Sequence, residues 1–142
     1  MQLDAVGQEL RRVPLPDYMR PHHAVESPTG TFVVSQRNTQ LNDECQVSEV
    51  NTAGEVLRRF SDSFRFTPHI AVDSQGNIFI PDWYNRRILL LDARLALRRV
   101  IIDEHQLNYK QPWRLCYNEQ SAQLMVGFLY TCSVAVFDVR QR

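Results

Sequence analysis

Short runs of apolar residues, alternating with polar ones and separated by turn residues, recur along most of the chain. The densest stretch is PHIAVDSQGNIFIPDWYNRRILLLD, which begins at Pro68. In it, Ile70 and Val72 point to one side by the two-residue period of a strand. The residues SQGN provide a hairpin turn in which Gly76 or Asn77 adopts a positive φ. The pattern predicts four short strands, at residues 69–73, 78–80, 87–91 and 97–101.

The same arrangement occurs three times along the chain. PHHAVESPTGTFVVSQ begins at Pro21, the densest stretch at Pro68, and a degraded copy, PWRLCYNEQSAQLMVGF, at Pro112. A second similarity links LDAVGQELRRV, VNTAGEVLRRF and LDARLALRRVI. Four antiparallel strands in a repeat of about 45 residues are typical of a β-propeller blade. We therefore predict an all-β fold, since helical periodicity is nowhere convincing.

The unit from Pro68 resembles an NHL repeat: a proline, an apolar strand ending in Asp, a Gly-Asn turn, a second strand ending in Asp, then Asn-x-Arg-Ile-x-x-x-Asp. The unit from Pro21 keeps the proline, the first two strands and the VNTAGEVLRRF hairpin, but the polar stretch SQRNTQLNDECQ predicts a longer loop. The unit from Pro112 is weaker, because Asn118 replaces the aspartate and the Asn-Arg-Ile element is missing. The resemblance implies blades of a six-bladed propeller like the one at the C-terminus of tripartite-motif ubiquitin ligases.

About three blades of an NHL-type propeller fit in the chain. We assign residues 1–13 to the end of one blade, 21–60 and 68–102 to two blades, and 112–139 to an incomplete blade. Three blades do not close a ring, and an open arc is expected to expose two apolar faces. The missing blades belong to a longer protein or to a second copy joined head to tail, and we favour the longer protein.

Composition narrows the possible functions. The chain has 142 residues, with sixteen basic and sixteen acidic side chains, so no overall charge directs it to nucleic acid. Neither a membrane-spanning run nor a signal-peptide pattern occurs, which favours a soluble, cytoplasmic protein without a membrane partner. Cys45, Cys116 and Cys132 lack CxxC spacing, so buried free thiols are expected rather than disulfides or a zinc site.

One face of the predicted propeller collects aromatic and basic residues. The connections between blades and the loops between second and third strands lie on the same face, which we call the rim. The predicted ligand-binding residues on it are His22, Arg65, His69, Trp83, Tyr84, Arg86, Arg87, Tyr109, Lys110, Trp113 and Arg114, and the rim also carries Tyr18, Arg20, His23, Arg37 and Phe66. Arginine forks bind phosphate or carboxylate, and flat rings stack on unpaired bases or anchor a peptide.

The sequence therefore favours a non-catalytic binding module without a cofactor. The NHL resemblance implies a single-stranded RNA or protein partner, and substrate recognition for a ubiquitin ligase. One alternative is that Trp83 and Tyr84 pack on neighbouring loops while Asp82 pairs with an arginine. Another is a metal-dependent lyase or hydrolase that uses His22, His23 and His69, although no carboxylate or cysteine accompanies them at ligand spacing. No motif predicts catalytic residues.

Arginine pairs recur at one place in each unit, in the predicted outermost strand. The pairs are Arg11–Arg12, Arg58–Arg59 and Arg98–Arg99. Charged side chains on an edge strand prevent pairing with other sheets, and we prefer this interpretation to nucleic-acid contact.

Overall fold

The computed structural model describes residues 7–62 and 64–140. Among these residues, eleven strands form three antiparallel sheets, and the single helical segment is the three-residue 3-10 helix Thr39–Leu41. The first sheet contains β1 (Met19–Glu26), β2 (Phe32–Asn38), β3 (Glu44–Val50) and β4 (Val56–Phe60); the second contains β5 (Ala71–Val72), β6 (Ile78–Asp82), β7 (Arg87–Leu91) and β8 (Leu97–Ile102); the third contains β9 (Pro112–Asn118), β10 (Gln123–Phe128) and β11 (Val134–Asp138). Strands that follow in sequence pair within each sheet. The predicted all-β, partial propeller is confirmed.

The second sheet shows how local sequence sets the strand order. Its first turn is closed by Asp73, whose carboxylate accepts from the backbone N–H groups of Gln75 and Asn77, while Gly76 has a φ of 84°. β5 is shorter than predicted, and β6 continues through Pro81 and Asp82, which we expected in a loop. Proline is tolerated there because it lies one residue before the end of β6, beyond the part of the strand that pairs with β5.

Two apolar cores lie between the three sheets. On one side of the second sheet, Ile78, Ile80 and Leu89 pack with Val33 and Val47 of the first sheet. On its other side, Phe79, Ile88 and Leu90 pack with Leu115 and Leu124 of the third sheet. Each such side chain contributes about 1.5–3 kcal/mol when fully buried. The sheets are therefore held together face to face, as blades of a propeller are.

The polar stretch of the first unit is mostly strand rather than loop. Gln36 and Asn38 end β2, and Gln46 and Ser48 lie on β3, so the connection spans only residues 39–43. These side chains are buried, and the amide of Gln36 donates to Gln46 Oε1 at 3.2 Å and Ser48 Oγ at 3.0 Å. The predicted long loop is wrong, because polar side chains that sequence alone assigns to solvent form hydrogen bonds with the neighbouring strand.

The outward face of the first sheet is covered, contrary to our expectation of two open apolar faces. Leu15 and Tyr18 pack beside Met19, Val34 and Val50 in a third apolar cluster. Residues 7–13, which we assigned to the end of a preceding blade, form no strand, and residues 1–6 lie outside the described residues. An N-terminal segment thus caps this end of the sheet stack.

The remaining predictions concern edges, thiols and membranes. The arginine pairs at 58–59 and 98–99 do lie on the outermost strands β4 and β8, whereas 11–12 lie on no strand. Cys45 is buried as expected, but Cys116 and Cys132 are exposed. Cys116 lies on the outer side of β9, and Cys132 lies in the loop between β10 and β11. No helix within residues 7–62 and 64–140 is long and apolar enough to cross a membrane.

Gly54 offers a test of the N-terminal cap. Its φ is 83°, and a Cβ at this position would overlap the carbonyl oxygen of Pro14. Gly30 has a similar φ of 87° but open space around it. We expect Gly30→Ala to lower the free energy of unfolding by about 1 kcal/mol through the positive φ alone. Gly54→Ala should lower it clearly more, because the segment before Leu15 must move. Urea unfolding measures both, and equal losses would contradict the cap.

Candidate functional site

The first strands of the three sheets lie side by side. β1 contacts β5, and β5 contacts β9. His23 of β1, His69 before β5 and Arg114 of β9 therefore follow one another across the three sheets. This row forms the floor of a groove on the rim.

The groove has a volume of about 400 Å³. Among the described residues, its lining consists of His22, His23, Arg37, Phe66, Thr67, Pro68, His69, Pro81, Trp83, Trp113 and Arg114. None of these lining residues carries a carboxylate, although the chain as a whole is neutral. The groove is therefore locally basic, as the sequence predicted for the rim.

Three aromatic rings form one wall of the groove. The ring centroids of Phe66 and Trp83 lie 5.2 Å apart, those of Trp83 and Trp113 6.1 Å apart, and those of Phe66 and Trp113 6.3 Å apart. Trp83 Nε1 is buried and has no hydrogen-bond partner among the described residues. The tilted and edge-on arrangement is favourable for aromatic pairs. The wall combines Phe66 from the β4–β5 connection, Trp83 from the β6–β7 turn and Trp113 from the start of β9.

His23 and His69 stack on the floor with ring centroids 3.9 Å apart. Nδ1 of His23 accepts a hydrogen bond of 3.2 Å from the backbone N–H of Ile70, so this nitrogen carries no proton. Burial lowers the pKa of His23, and the nearby His69 and Arg114 lower it further. Burial and Arg114 also lower the pKa of His69. The stacked pair is therefore neutral at pH 7, and the arginines supply the positive charge.

Other predicted residues lie beside the groove. The guanidinium of Arg65 lies over the Tyr84 ring, 4.2 Å from its centroid, and both residues are exposed. Arg86 is exposed at the end of the β6–β7 turn, where its backbone N–H donates to the carbonyl of Trp83 at 3.2 Å. These residues form an outer edge that a long ligand can reach from the groove.

Arg87 has a structural role instead. Its Nε donates to the buried Asp82 at 2.9 Å, and its Nη2 donates to Asp62 at 2.9 Å. Asn85 donates to the same Asp82 oxygen at 2.9 Å. The alternative in which Asp82 pairs with an arginine is therefore confirmed for Arg87, and its charge is neutralised within the protein.

Tyr109 and Lys110 do not line the groove. Tyr109 forms a hydrogen bond of 2.6 Å with Nδ1 of His105, and the Lys110 ammonium lies 5.7 Å from the centre of the Phe128 ring. Both belong to the connection between β8 and β9, which places them toward the third sheet.

Three lining residues, His23, Arg37 and Phe66, were placed on the rim by sequence but not in its binding set. The repeat aligned His22 with His69, since both follow the proline. In the structure a bulge between Pro21 and His23 shifts the register of β1, so that His23 stacks on His69. Only the doubled histidine in PHH could have signalled this, because a bulge changes which side chain faces inward.

A metal site is not formed by these histidines. Within residues 7–62 and 64–140, no three His, Cys, Asp or Glu side chains converge as ligands. The stacked rings of His23 and His69 also direct one nitrogen to the backbone instead of a shared ion. The geometry therefore does not support the metal-dependent alternative.

Comparison with known proteins identifies the fold. No protein-family model matches the sequence, and no curated protein sequence matches it significantly. Among solved structures, the chain is similar to a protein of unknown function from Bacteroides caccae, with 18% identity over 87% of this chain and 44% of that one and a TM-score of 0.54. It is also similar to Kuenenia stuttgartiensis hydrazine synthase, with 16% identity, 93% and 36% coverage and a TM-score of 0.61.

A further similar structure is a catalytically inactive variant of virginiamycin B lyase from Staphylococcus aureus with quinupristin, with 10% identity, 95% and 46% coverage and a TM-score of 0.58. At such identities the likeness shows the fold alone. The chain spans less than half the length of each of these three proteins. It is a propeller-like repeat protein.

The stacked histidines predict acid sensitivity. Because both have a pKa below the ordinary 6.5, the folded state binds fewer protons than the unfolded state near that pH. The free energy of unfolding should therefore fall as the pH drops below about 6.5 toward the lowered values. We expect His69→Gln to flatten this decline, measured by urea unfolding between pH 7.5 and 5. His22→Gln, which changes an exposed neighbour, should keep the full decline; an unchanged slope in His69→Gln would contradict this explanation.

Arg86 and Arg87 should separate clearly in stability. Arg87→Ala leaves the carboxylate of Asp82, 2% exposed, without its cation, so we expect a loss of about 2 kcal/mol. The exposed neighbour Arg86→Ala should change stability by less than about 0.5 kcal/mol. Thermal or urea unfolding compares the two, and equal effects would refute the structural role of Arg87.

Proposed function

We propose that this chain is a non-catalytic recognition module whose rim groove binds single-stranded RNA. One observation carries the proposal: an aromatic wall and two arginines share a groove in which no lining residue is acidic. The resemblance of the central repeat to NHL repeats supports the same function. The proposed role as the recognition part of a tripartite-motif ubiquitin ligase in the cytoplasm rests on that resemblance.

The chemistry of the groove suits a chain of phosphates and bases. Arg114 is exposed on β9. Arg37 Nη1 donates a hydrogen bond of 3.3 Å to the backbone carbonyl of Asp43. Because this acceptor is an uncharged carbonyl, the bond does not neutralise the charge of Arg37. One guanidinium group can bind two phosphate oxygens at once. The ring of Trp113 offers a face on which an unpaired base can stack. Stacking tolerates any base, so the groove itself provides affinity more than sequence selection.

A protein partner is the second candidate, and the outer edge of the groove favours it. On this edge Tyr84 is 47% exposed, with Arg65 lying on its ring, and Phe66 of the adjacent aromatic wall is 46% exposed. Tyrosine and arginine are enriched among the residues that dominate protein interfaces. A peptide ligand would use this edge, and its binding would depend less on salt than RNA binding does.

The test uses a labelled, mixed-sequence RNA decamer and fluorescence anisotropy at several salt concentrations. We expect the affinity to fall steeply with salt, because phosphate contacts release counterions. Arg114→Ala should weaken binding about tenfold. It should also reduce the slope of log affinity against log salt concentration by about one, because one phosphate contact is lost. Trp113→Ala should weaken binding about tenfold without changing the salt dependence.

The matched control is Arg94→Ala, on the turn between β7 and β8 at the opposite end of the strands. It removes the same charge away from the groove, so it should leave the affinity unchanged. An equal loss in Arg94→Ala would indicate nonspecific attraction, and no binding at low salt would reject RNA as the ligand. If the chain captures a protein partner independently of salt, and Tyr84→Ala abolishes this capture, the second candidate is favoured.

A further inference from the structure

The outward face of the third sheet is apolar and open. Met125 is 40% exposed, Val136 is 54% exposed and Val134 is 65% exposed, and all three point away from the second sheet. Cys116 is exposed on the same side, paired with Met125 across the strands. A contiguous group of exposed aliphatic side chains on a regular sheet marks an interaction surface.

The second sheet shows what such a face binds. On its side toward the third sheet, Ala71, Phe79 and Leu90 form one cross-strand row, and Pro81 and Ile88 form the next. Within this group, Phe79 and Ile88 are 0% exposed and Leu90 is 3% exposed, because the third sheet packs on them.

The third sheet repeats these rows at the same register. Cys116, Met125 and Val136 form one cross-strand row, and Arg114, Gly127 and Val134 form the next. Apart from Arg114, which lines the groove, each position is taken by a small or apolar residue, as in the second sheet. The open face therefore has the side-chain pattern of a blade interface whose other half is not among the described strands.

A second copy cannot supply that half in a head-to-tail arrangement. The outward face of the first sheet carries the buried hydrogen-bonded side chains of Gln36, Gln46 and Ser48. Leu15 packs over its apolar part next to Val34. This face is polar and covered, so it does not match the open rows of the third sheet.

We propose that the outward face of the third sheet docks a further propeller blade: an antiparallel sheet that presents apolar rows like those of Leu115, Leu124 and Val126. Docking continues the row of His23, His69 and Arg114 into a fourth sheet. The new blade therefore lies against the open end of the groove at Arg114 and contributes its own first-strand residue to the floor. The docking rests on the interface pattern and is independent of the ligand.

The experiment compares the full chain with the same chain extended by a second copy of residues 92–111 and then 68–102. The extension adds a fourth strand to the third sheet and one further blade. We expect the parent chain to associate in a concentration-dependent, polydisperse manner by light scattering and to bind an apolar dye. The extended chain should lose most of the dye signal that arises from this face.

Val136→Asp gives the decisive comparison. In the parent chain the new charge lies in solvent, so it should reduce association and leave the urea midpoint unchanged. In the extended chain it lies in the docked interface, so it should lower the midpoint. Val100→Asp on β8, where the valine is 41% exposed, is the control and should have the same effect on both chains.

Two results would overturn the proposal. If the parent chain forms a discrete dimer that Val136→Asp dissociates, then the face binds a second copy instead of a blade. If Val136→Asp shifts the midpoint equally in both chains, or the parent chain stays monomeric without binding dye, then no blade docks on this face. RNA binding is not measured here, so failure of the docking leaves the proposed function to its own test.

Discussion

Packing on both faces of the second sheet supports the rest of the structure. β6 and β7 carry apolar side chains at nearly every position, so neither face can be left in water. Ile78 and Ile80 bind the first sheet, and Phe79 binds the third, with the Phe79 ring stacked on Tyr117 at 5.2 Å. The strand period of two residues thus produces two cores, and the two cores produce the arc of blades.

The groove is a consequence of that arc. Face-to-face packing brings β1, β5 and β9 together, which places His23, His69 and Arg114 in one row although they lie far apart in the chain. The connection between β4 and β5 supplies Phe66, and the start of β9 supplies Trp113, and both belong to the aromatic wall. The site therefore depends on tertiary packing more than on any local motif, and a shift of one sheet would disperse it.

The first sheet departs from the pattern of the others. Its outward side buries Gln36, Asn38, Gln46 and Ser48 in mutual hydrogen bonds, where the second sheet has aliphatic side chains. Each of these side chains makes at least one hydrogen bond within the group, although Gln36 Oε1 has no partner among the described residues. Such a buried network specifies its neighbours strictly. The two ends of the arc therefore differ: one is polar and capped by the N-terminal segment, and the other is apolar and open.

The sequence alone determined the strand order, the repeat and the turns of the central unit, because alternation of side chains and turn residues such as Gly76 act over a few positions. It also placed most groove residues on one face, because equivalent positions of the repeat lie at the same end of each sheet. Tertiary structure alone decided that Arg87 neutralises Asp82, that His23 rather than His22 meets His69, and that polar residues near Gln36 are buried strand. These features depend on partners distant in sequence and on a bulge that changes register, and local pattern contains neither.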